Sequence, residues 1–590
     1  MNKYLAKVLY VLKGSKKELL LLLLIFIFTS VVEAIGIGLI GPFLNFAGNP
    51  DSIYKIPVLN WIYQSFNLQS SSQFIPVLAI GIAIVFCFKA ISYFLAHKYV
   101  IEFSFRQKSL LRIKLLNAYL NVPYSFYLKA NTASIIKNTI LETNKFCWQT
   151  LLPLLEFTAN LVLVFIMLLL LAKTDMLLLT LTLLVLAPIF LLFFQLRKKM
   201  ARWGKKMSIA EQEMIRTINH GLGGIKETRI IGCEPYFERR MNWECQQYEK
   251  SIIAFSLIQK TPRILIETVL IIFIILFVSL SQIFFQQDIQ SITSILAVFS
   301  LAAIRLIPAA TSAINNMGKM QNSSYALDAL CFDLKTIEEQ NKFKLQSLIA
   351  EPVENNRAMS FKSQIEINNL TYTYPDLSEP AIKDVSLKID RGDSIALIGK
   401  SGAGKTTLVD LILALLEPKS GDILVDNVSI YDNSRAWQRL VGYIPQSIYL
   451  IDDTIEHNIA FGVEDGAIDA IRMEEAIAAA QLTETIQQLP EGIHTLVGER
   501  GVRLSGGQRQ RIGIARALYH QREILVLDEA TSALDNETEQ LVSDAIKSLG
   551  GTITLIIIAH RLSTVEHCDC IYVLDRGSLV ESGKFQEVCA

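Results

Sequence analysis

The chain contains few charged residues for its length. Only 19% of its 590 residues are Asp, Glu, Lys or Arg, whereas soluble globular proteins average about 25%. Hydrophobic residues make up 51%, and the mean hydropathy is +0.36. This composition excludes a disordered or collagen-like chain and indicates that part of the protein lies in lipid. Because a single hydrophobic core rarely grows beyond about 300 residues, the length also indicates several domains.

Cysteine is scarce as well, with eight residues in the whole chain. None of them falls in a segment that we assign below to the outer side of the membrane. We therefore expect reduced thiols rather than a disulfide framework. Cys568 and Cys570 form a CxC pair without a second pair of ligands, which argues against a zinc site.

The formal net charge is zero, but the two halves of the chain differ in sign. From Lys362 to the C-terminus there are 20 basic and 34 acidic residues, a net charge of −14. The preceding part has 36 basic and 22 acidic residues, a net charge of +14. Neither part has the pattern of a general nucleic-acid binder, and we expect no nucleic-acid partner.

The N-terminal part, residues 1–340, contains apolar runs long enough to cross a bilayer, which takes about 20 residues per helix. We predict six spans, at about 19–45, 74–96, 150–172, 176–196, 263–285 and 291–314. The first apolar run is too long for a signal-peptide core and is not followed by a small-residue cleavage site, so we expect a retained span.

The segments between the spans differ in their content of Lys and Arg. Two of them, 97–149 and 197–262, are rich in both, while the other three carry only Lys55 and Lys173. Since positive charge is retained on the cytosolic side, we predict cytosolic termini and long helices that project from the spans into the cytosol. Residues 57–68 are apolar and aromatic at helical spacing, which fits either a short helix on the outer face or an ordered loop.

A polar linker at 341–361 separates this part from residues 362–590, which have the composition of a soluble α/β domain. The segments that we predict as strands are IEINNLTYTY, SIALIG, DILVDNVSI, EILVLDEA and TITLIIIAH. The sequence GKSGAGKTT at 399–407 follows SIALIG and precedes the helical LVDLILALL. Strand, GxxxxGK[ST] loop and helix in this order predict a phosphate-binding loop.

The residue types of this loop suit a nucleotide triphosphate. Its glycines let successive backbone N–H groups face the phosphates at a helix N-terminus. Lys405 supplies a positive charge to the β- and γ-phosphates, and the Thr406 hydroxyl is a ligand for Mg²⁺. The residues that we assign to nucleotide binding here are Gly399, Ser401, Gly402, Gly404, Lys405, Thr406 and Thr407.

The run ILVLDEA at 524–530 supplies the acidic partners of the loop. Four apolar residues predict a buried strand that ends at Asp528 and Glu529. In this position Asp528 would hold Mg²⁺ through water, and Glu529 would polarise the attacking water. The alternative, a pair of solvated surface carboxylates, does not account for the apolar strand in front of them.

The segment LSGGQ at 504–508, between the phosphate loop and LDEATSALD at 527–535, resembles the signature of the ATP-binding cassette (ABC) transporters. Further residues resemble other elements of that cassette in family order. These are Tyr374 as the aromatic that stacks on adenine, Gln446 as the loop residue that contacts Mg²⁺, Glu499 in the exporter-type cross-loop, Asp535 facing the partner cassette, and His560 as the switch histidine.

This resemblance, which covers most of residues 364–590, implies an exporter-type half-transporter with six membrane-spanning helices fused to one α/β P-loop cassette. Two cassettes of this family pack head to tail. ATP then lies between Lys405 of one chain and the partner subunit's Ser505, Gly507 and Gln508. A homodimer is favoured because the cassette shows no departure from the consensus, although a degenerate partner chain would also fit this sequence.

The resemblance also implies coupling through the cytosolic extensions. Residues 121–138 and 218–232 fall where the coupling helices of the family lie. Gly221, Gly223 and Gly224 are predicted to break or tighten a helix there.

Substrate identity depends on ionisable residues within the spans, which are costly in lipid and usually face a cavity or a partner. Segments 262–267 and 302–309 resemble exporters that flip polyprenyl-diphosphate-linked oligosaccharides. The sequence leaves two interpretations of Lys89, Arg263 and Arg305 open. They bind an anionic diphosphate head group, or they form structural ion pairs with carboxylates of the spans.

Three functional hypotheses follow. The first is ATP-driven export or flipping of a lipid-linked oligosaccharide or polysaccharide precursor by a dimer in a bacterial inner membrane. The second is an exporter of the same architecture for hydrophobic drugs, lipids or peptides, which fully paired charges in the spans would favour. The third is an ATP-switched regulatory or channel-like protein, against which Glu529 and His560 argue. In all three the expected cofactors are ATP and Mg²⁺.

Overall fold

The structure is a computed structural model. It describes residues 2–40, 43, 71–128, 132–174, 176–284, 289–349, 359–375, 377–528, 551–559 and 565–588. The chain divides into two units. The first comprises Met1–Val122 with Ala130–Asn341, and the second comprises Pro123–Lys129 with Lys342–Ala590. The predicted outer helix at 57–68 lies outside the described residues.

The first unit is helical throughout its described part. Its helices are α1 (Asn2–Val11), α2 (Lys16–Gly38), α3 (Ser71–Asn121), α5 (Thr132–Lys137), α6 (Leu152–Thr174), α7 (Met176–Gly223), α8 (Ile225–Ile231), α9 (Glu234–Phe284), α10 (Ile289–Asn322) and α11 (Ser324–Ile349). Two π-helical turns, Asn138–Glu142 and Phe146–Leu151, flank the short α-helical turn Thr143–Lys145 ahead of α6.

Three helical stretches of the described chain are long and apolar enough to cross a membrane, namely Lys16–Gly38, Ile75–Asn121 and Ser134–Ala172. They contain or overlap the first three predicted spans. The fourth and the sixth predicted spans fall within α7 and α10, and the fifth lies in α9 as far as Phe284, the last described residue there. Large apolar side chains are exposed along α3, for example Ile84, with 64% of its surface accessible. A bilayer is the environment that covers such a surface.

The helices that carry spans extend well beyond the membrane, as the sequence predicted. Helix α3 has 51 residues and α7 has 48. At about 1.5 Å per residue each is more than twice as long as a bilayer core is thick. Helix α2 covers the first predicted span as far as Gly38, and the predicted end of that span, near residue 45, lies outside the described residues.

The glycine-rich part of the second predicted coupling segment interrupts the helix there. Helix α7 ends at Gly223, and α8 begins at Ile225 with Gly224 as its N-cap. Gly232 closes α8 in the left-handed conformation, with φ of 71°. The predicted break therefore lies at these glycines.

The second unit contains two sheets. The strands are β1 (Gln364–Tyr372), β2 (Ile382–Asp390), β3 (Ser394–Ile398), β4 (Ser420–Val425), β5 (Val428–Ser429), β6 (Val441–Ile444), β7 (Ile524–Asp528), β8 (Thr554–Ile558), β9 (Cys570–Asp575) and β10 (Ser578–Gly583). Six strands form a mostly parallel sheet in the order β10-β9-β3-β8-β7-β6, and four form an antiparallel sheet in the order β2-β1-β4-β5.

The helices of this unit are short. They are α4 (Tyr124–Tyr127), α12 (Lys405–Ile412), α13 (Ser434–Leu440), α14 (Ile455–Ile459), α15 (Ala470–Ala479), α16 (Thr483–Gln487), α17 (Gly506–Tyr519) and α18 (Phe585–Val588). Helix α4, from the first predicted coupling segment, belongs to this unit rather than to the helical one.

The parallel strands are mostly apolar because both faces of the sheet are covered. In β7, Leu525 and Leu527 pack into one buried cluster, with helix α17. Ile524 and Val526 point the other way into a second cluster, which joins the antiparallel sheet and α12. Two cores thus hold the central strands from both sides and fix where their carboxyl ends lie.

One predicted strand is two strands in the structure. DILVDNVSI forms a hairpin in which Val425 of β4 pairs with Val428 of β5. The turn residues Asp426 and Asn427 both have positive φ, 49° and 66°. Two left-handed central residues define the turn that matches the twist of a hairpin, and Asp and Asn adopt this conformation most readily.

Candidate functional site

The phosphate loop connects β3 to α12 and depends on glycine for its shape. Gly399, Gly402 and Gly404 all have positive φ, of 150°, 82° and 104°. At Gly399 a side chain would also overlap the backbone oxygen of Leu574. Only glycine can adopt this backbone conformation and also fit into the space beside Leu574.

Lys405 is the first residue of α12, and its side chain is turned into the loop. Its Nζ donates to the backbone oxygens of Gly399, at 2.7 Å, and Lys400, at 3.2 Å. The residue is buried, with 6% of its surface accessible. The loop therefore holds a positive charge beside the backbone N–H groups of a helix N-terminus, the arrangement that binds phosphate.

A cavity of about 500 Å³ opens at this loop. Its lining contains most of the residues predicted to bind nucleotide, namely Tyr374, Ser401, Gly402, Gly404, Lys405, Thr406 and Thr407. It also contains Lys383 and Arg576, two cations that the sequence analysis did not identify because they lie in no motif of the phosphate loop. The volume and the positive charge suit a nucleotide triphosphate.

Tyr374 lines the cavity, and its predicted role in stacking on adenine stays a prediction. Its hydroxyl is 3.1 Å from Thr407 Oγ1, and its ring makes an edge-to-face contact with Tyr372, with 5.0 Å between the ring centroids. These contacts hold the half-buried ring in the cavity wall. An aromatic ring held there provides a stacking surface for a base.

Asp528 is the last residue of β7 and is 91% buried. Strand β7 pairs with β8, and β8 pairs with β3, from which the phosphate loop starts. Because carboxyl ends of parallel strands meet at one edge of a sheet, Asp528 and the phosphate loop lie at the same edge. The hydroxyl of Tyr443 donates to Asp528 Oδ2 at 3.4 Å.

Asp410 is a second carboxylate near Asp528 that the sequence analysis missed. It lies on α12, five residues after Lys405. Burial, followed by the nearby charge of Asp528, raises the pKa of Asp410 to about 6. The sequence around Asp410 does not predict its closeness to Asp528, because Asp528 lies on β7, more than 100 residues further along the chain.

The oxygen atoms at this edge suit the hard cation Mg²⁺. Thr406 has an exposed hydroxyl in the cavity, and Asp528 has a carboxylate at the end of β7. Gln446 follows β6, which pairs with β7, and its side chain is exposed. No cluster of three or more His, Cys, Asp or Glu residues that could hold a metal ion occurs in the described part of the chain.

The LSGGQ segment forms the start of α17. Ser505 is the N-cap: its Oγ accepts from the backbone N–H of Gln508 at 3.2 Å, and Gln508 Oε1 accepts from the backbone N–H of Ser505 at 2.8 Å. This reciprocal capping box fixes the helix N-terminus. Ser505, Gly507 and Gln508 are not among the residues that line the cavity at the phosphate loop, and their role toward a second chain stays a prediction.

Three predicted site residues, Glu529, Asp535 and His560, lie outside the described residues. In the sequence, Glu529 directly follows β7, Asp535 lies a few residues further on, and His560 follows the end of β8. Their roles stay predictions. Glu499 is described and begins a short 3₁₀ turn, Glu499–Gly501.

In the helical unit the structure describes one of the three charged candidates in detail. Lys89 Nζ, on α3, lies 2.8 Å from Glu33 Oε1, on α2. Arg263 lies on α9 and Arg305 on α10.

Comparison with known proteins places the chain in a family. Residues 382–532 match the sequence family described as ABC transporter. The ATP-dependent lipid A-core flippase of Ralstonia nicotianae is 30% identical over 521 residues, which cover 87% of this chain and 85% of that protein. The protein of the same description from Cupriavidus metallidurans is 30% identical over 522 residues, covering 87% and 84%.

The match is stronger over a shorter length in another relative. The ATP-dependent lipid A-core flippase of Bordetella avium is 41% identical over 281 residues, or 48% of this chain and 45% of that protein. The solved structure of a bacterial Atm1-family ABC exporter with ATP bound is similar in fold, with a TM-score of 0.73, 21% identity, and coverage of 98% of this chain and 97% of that one. The chain therefore belongs to the ABC transporter family, as a half-transporter of the exporter type whose cassette hydrolyses ATP to drive transport.

Proposed function

We propose that two copies of this chain assemble in a bacterial inner membrane, with termini and cassettes in the cytosol, and flip a lipid-linked oligosaccharide or polysaccharide precursor. One observation carries the choice of substrate class. The similarity to lipid A-core flippases extends over 87% of the chain and therefore includes the helical unit, where a substrate would bind. The substrate of those relatives is itself a glycan carried on a lipid.

The proposed mechanism starts at the phosphate loop. ATP enters the cavity with its base against Tyr374 and its phosphates at the N-terminus of α12, where Lys405 turns from its loop carbonyls to the β- and γ-phosphates. Thr406, Gln446 and Asp528 would hold Mg²⁺, which neutralises phosphate charge when bound.

Closure of the dimer would complete each site. Ser505, Gly507 and Gln508 stand at the N-terminus of α17, where the backbone N–H groups and the helix dipole favour an anion such as the γ-phosphate of the other chain's ATP. Asp535 would line the contact with the partner cassette. Glu529 would then polarise the attacking water, and His560 would orient it and contact the γ-phosphate.

A head group carrying phosphate would meet positive charge in the spans. Arg263 and Arg305 are the proposed contacts, and Lys89 is a third. Arginine suits this role because its guanidinium contacts two phosphate oxygens at once.

The pairing of Lys89 with Glu33 favours a second candidate, an exporter of hydrophobic drugs or simple lipids. If the other charges in the spans are also paired, the cavity would be apolar and would not need an anionic substrate. The same measurement separates the two candidates.

The test is reconstitution of the purified protein in liposomes, with ATPase activity and transbilayer movement recorded together. The substrates are a polyprenyl-diphosphate oligosaccharide, a lipid A-core glycolipid, neutral lipids and amphipathic drugs. ATP-dependent movement of the lipid-linked glycans, absent in Glu529→Gln, would support the proposal. Movement of drugs or simple lipids without the glycans would overturn the substrate class and leave the ATPase assignment intact.

A further inference from the structure

Two positively charged side chains line the cavity at the phosphate loop although they belong to none of its motifs. Lys383 is the second residue of β2 and is half-buried, and Arg576 directly follows β9 and is exposed. Neither side chain makes a hydrogen bond or an ion pair with another residue in the part of the chain that the structure describes. Both charges are therefore available to a ligand in the cavity.

Backbone contacts place both residues beside the loop. The N–H of Gly577, the residue after Arg576, donates to the backbone oxygen of Ala403 in the loop at 2.9 Å. The N–H of Lys383 donates to the backbone oxygen of Gly577 at 2.7 Å. A side chain at Gly577 would overlap the backbone oxygen of Ala381, so glycine lets this turn approach the start of β2 closely. Both cations are thus carried by backbone that is hydrogen-bonded, directly or through one residue, to the phosphate loop.

The turn that carries Arg576 is unusual in its sequence. Strands β9 and β10 are joined by a turn of two residues, Arg576 and Gly577, with φ of 45° and 84°. Asn, Asp and Gly are the residues preferred at the first position of such a turn, because other side chains clash with the backbone when φ is positive. The other two-residue hairpin of this unit follows the preference, with Asp426 and Asn427. An arginine held in an unfavourable backbone conformation beside a cavity indicates a role for its side chain.

The other cations expected at the site act at the β- and γ-phosphates. Lys405 is assigned to these two groups, and Mg²⁺ bridges them. The α-phosphate is also negatively charged, but no cation has been assigned to it. Among the described residues of the lining, Lys383, Lys405 and Arg576 are basic and only Glu379 is acidic. The excess of positive charge suits a further anionic group of the ligand.

We propose that Lys383 and Arg576 bind the α-phosphate of the nucleotide. Arginine suits this position because its planar guanidinium contacts two phosphate oxygens at once, and lysine adds a mobile point charge. Their role rests on the proposed placement of ATP at the phosphate loop. Because ADP keeps the α-phosphate, the two side chains hold substrate and product alike and do not distinguish between them.

The test measures equilibrium binding of ATP, ADP and GTP to the purified full-length protein, without Mg²⁺ so that no nucleotide is hydrolysed. Lys383→Met and Arg576→Asn should each weaken binding of all three nucleotides at least about tenfold, because hydrogen bonds to a charged group are strong. The factor should be the same for all three, since they share the α-phosphate. Lys383→Arg keeps the charge and should bind close to the wild type.

Arg576→Asn carries a second measurement that a purely structural role would not explain. The change creates an Asn-Gly turn, which suits a two-residue hairpin best. Thermal unfolding without nucleotide should therefore shift to higher temperature, while nucleotide affinity falls. A lower unfolding temperature together with weaker binding would give Arg576 a structural role and overturn its assignment to the α-phosphate.

The matched control for Lys383 is Lys388, on the same strand. Its Nζ pairs with Asp390 at 3.1 Å, its side chain is exposed, and it does not line the cavity. Lys388→Met removes the same charge from β2 and should leave the affinity for all three nucleotides unchanged. An equal loss in Lys388→Met and Lys383→Met would assign the effect to the overall charge of the cassette and overturn the proposal.

The remaining outcomes separate this proposal from the placement of ATP itself. Unchanged affinity in Lys383→Met and Arg576→Asn, with a loss in Lys405→Ala, would overturn the α-phosphate contact and leave ATP at the phosphate loop. Unchanged affinity in Lys405→Ala as well would overturn both. A loss that differs between ATP and GTP would point to the base, and one that differs between ATP and ADP would point to the γ-phosphate. Either difference would refute a contact with the α-phosphate.

Discussion

Lys89 and Glu33 form an ion pair between two predicted spans, with 2.8 Å between Nζ and Oε1. More than nine-tenths of each side chain is buried. An unpaired charge at the centre of a span costs about 2.5–3.5 kcal/mol, so each residue stabilises the other in this position. The pair joins α2 to α3. This contact is of the structural kind that the sequence left open as one of two interpretations of the span charges.

The pair predicts a specific pattern in a double-mutant cycle. Lys89→Met removes the cation that pairs with the buried Glu33 carboxylate and should destabilise the protein by about 3–5 kcal/mol. Lys89→Met combined with Glu33→Gln should recover most of that loss, because no charge is left uncompensated. Thermal unfolding in detergent measures the stability of the single and the double variant against that of the wild type. Equal losses in the single and double variants would show that the pair does not stabilise the fold.

Tyr374 should contribute to nucleotide binding through its ring. Tyr374→Ala removes the stacking surface and should weaken ATP binding by about 1–3 kcal/mol. Tyr374→Phe keeps the ring and loses only the contact with Thr407, so its affinity should stay close to that of the wild type. Equilibrium binding of ATP to the three proteins is the measurement. A loss in the Phe variant as large as in the Ala variant would assign the effect to the hydroxyl instead.

Glu529→Gln should separate binding from hydrolysis. The amide cannot polarise water as the carboxylate does, so ATP should bind and hold the dimer closed while turnover is nearly abolished. Trapped nucleotide and ATPase rate are measured on the same preparation. Normal turnover would refute the assignment of Glu529 as the group that polarises water.

The matched control for that variant is Lys405→Ala. Its side chain lies inside the phosphate loop, so its removal should weaken nucleotide binding itself rather than the chemical step. Unchanged ATP affinity in Lys405→Ala would count against the role of the loop.

The lowered pKa of Asp426 predicts that the stability of the cassette depends on pH. Burial alone would raise its pKa, but hydrogen bonds from the Ser363 hydroxyl and from the backbone N–H groups of Lys362, Gln364 and Ser363 lower the pKa of Asp426 to about 2. A pKa below that of the unfolded chain means that the carboxylate stabilises the fold at neutral pH. That contribution is lost as the pH falls from about 4 towards 2.

The comparison is between the wild type and Asp426→Asn. The wild type should be more stable at pH 7, and the difference should shrink as unfolding is measured from about pH 5 down to about pH 3. A difference that stays constant over this range would show that the hydrogen bonds do not depend on the charge of Asp426.

Arg305 tests the proposed head-group contact. Arg305→Ala should reduce transport of a diphosphate-linked glycan while the basal ATPase activity stays close to that of the wild type, because the residue lies far along the chain from the cassette motifs. Transport and ATPase are measured in the same liposomes. Joint loss of folding and ATPase activity would instead give Arg305 a structural role.

Much of the molecule follows from local patterns in the sequence. Apolar runs of about 20 residues can only be satisfied in lipid as helices, which is why α2, α3 and α6 agree with predicted spans. The glycine spacing at 399–404, followed by Lys405, determines a loop that curls around phosphate. Ser505 and Gln508 are three residues apart and cap their own helix. The local structure of the LSGGQ segment therefore follows from the sequence without contacts to distant residues.

Other features depend on residues that are distant in sequence. Asp410 acquires its raised pKa because sheet pairing brings β7, with Asp528, beside the helix of the phosphate loop. The sequence predicts a single strand where the hairpin at Asp426 and Asn427 lies, because its apolar residues continue across the turn.

The pairing of Lys89 with Glu33 likewise arises where two separate helices meet. A sequence determines the conformation of each segment through short-range sterics and hydrophobic periodicity. Which charges are paired with one another is decided only when those segments pack together.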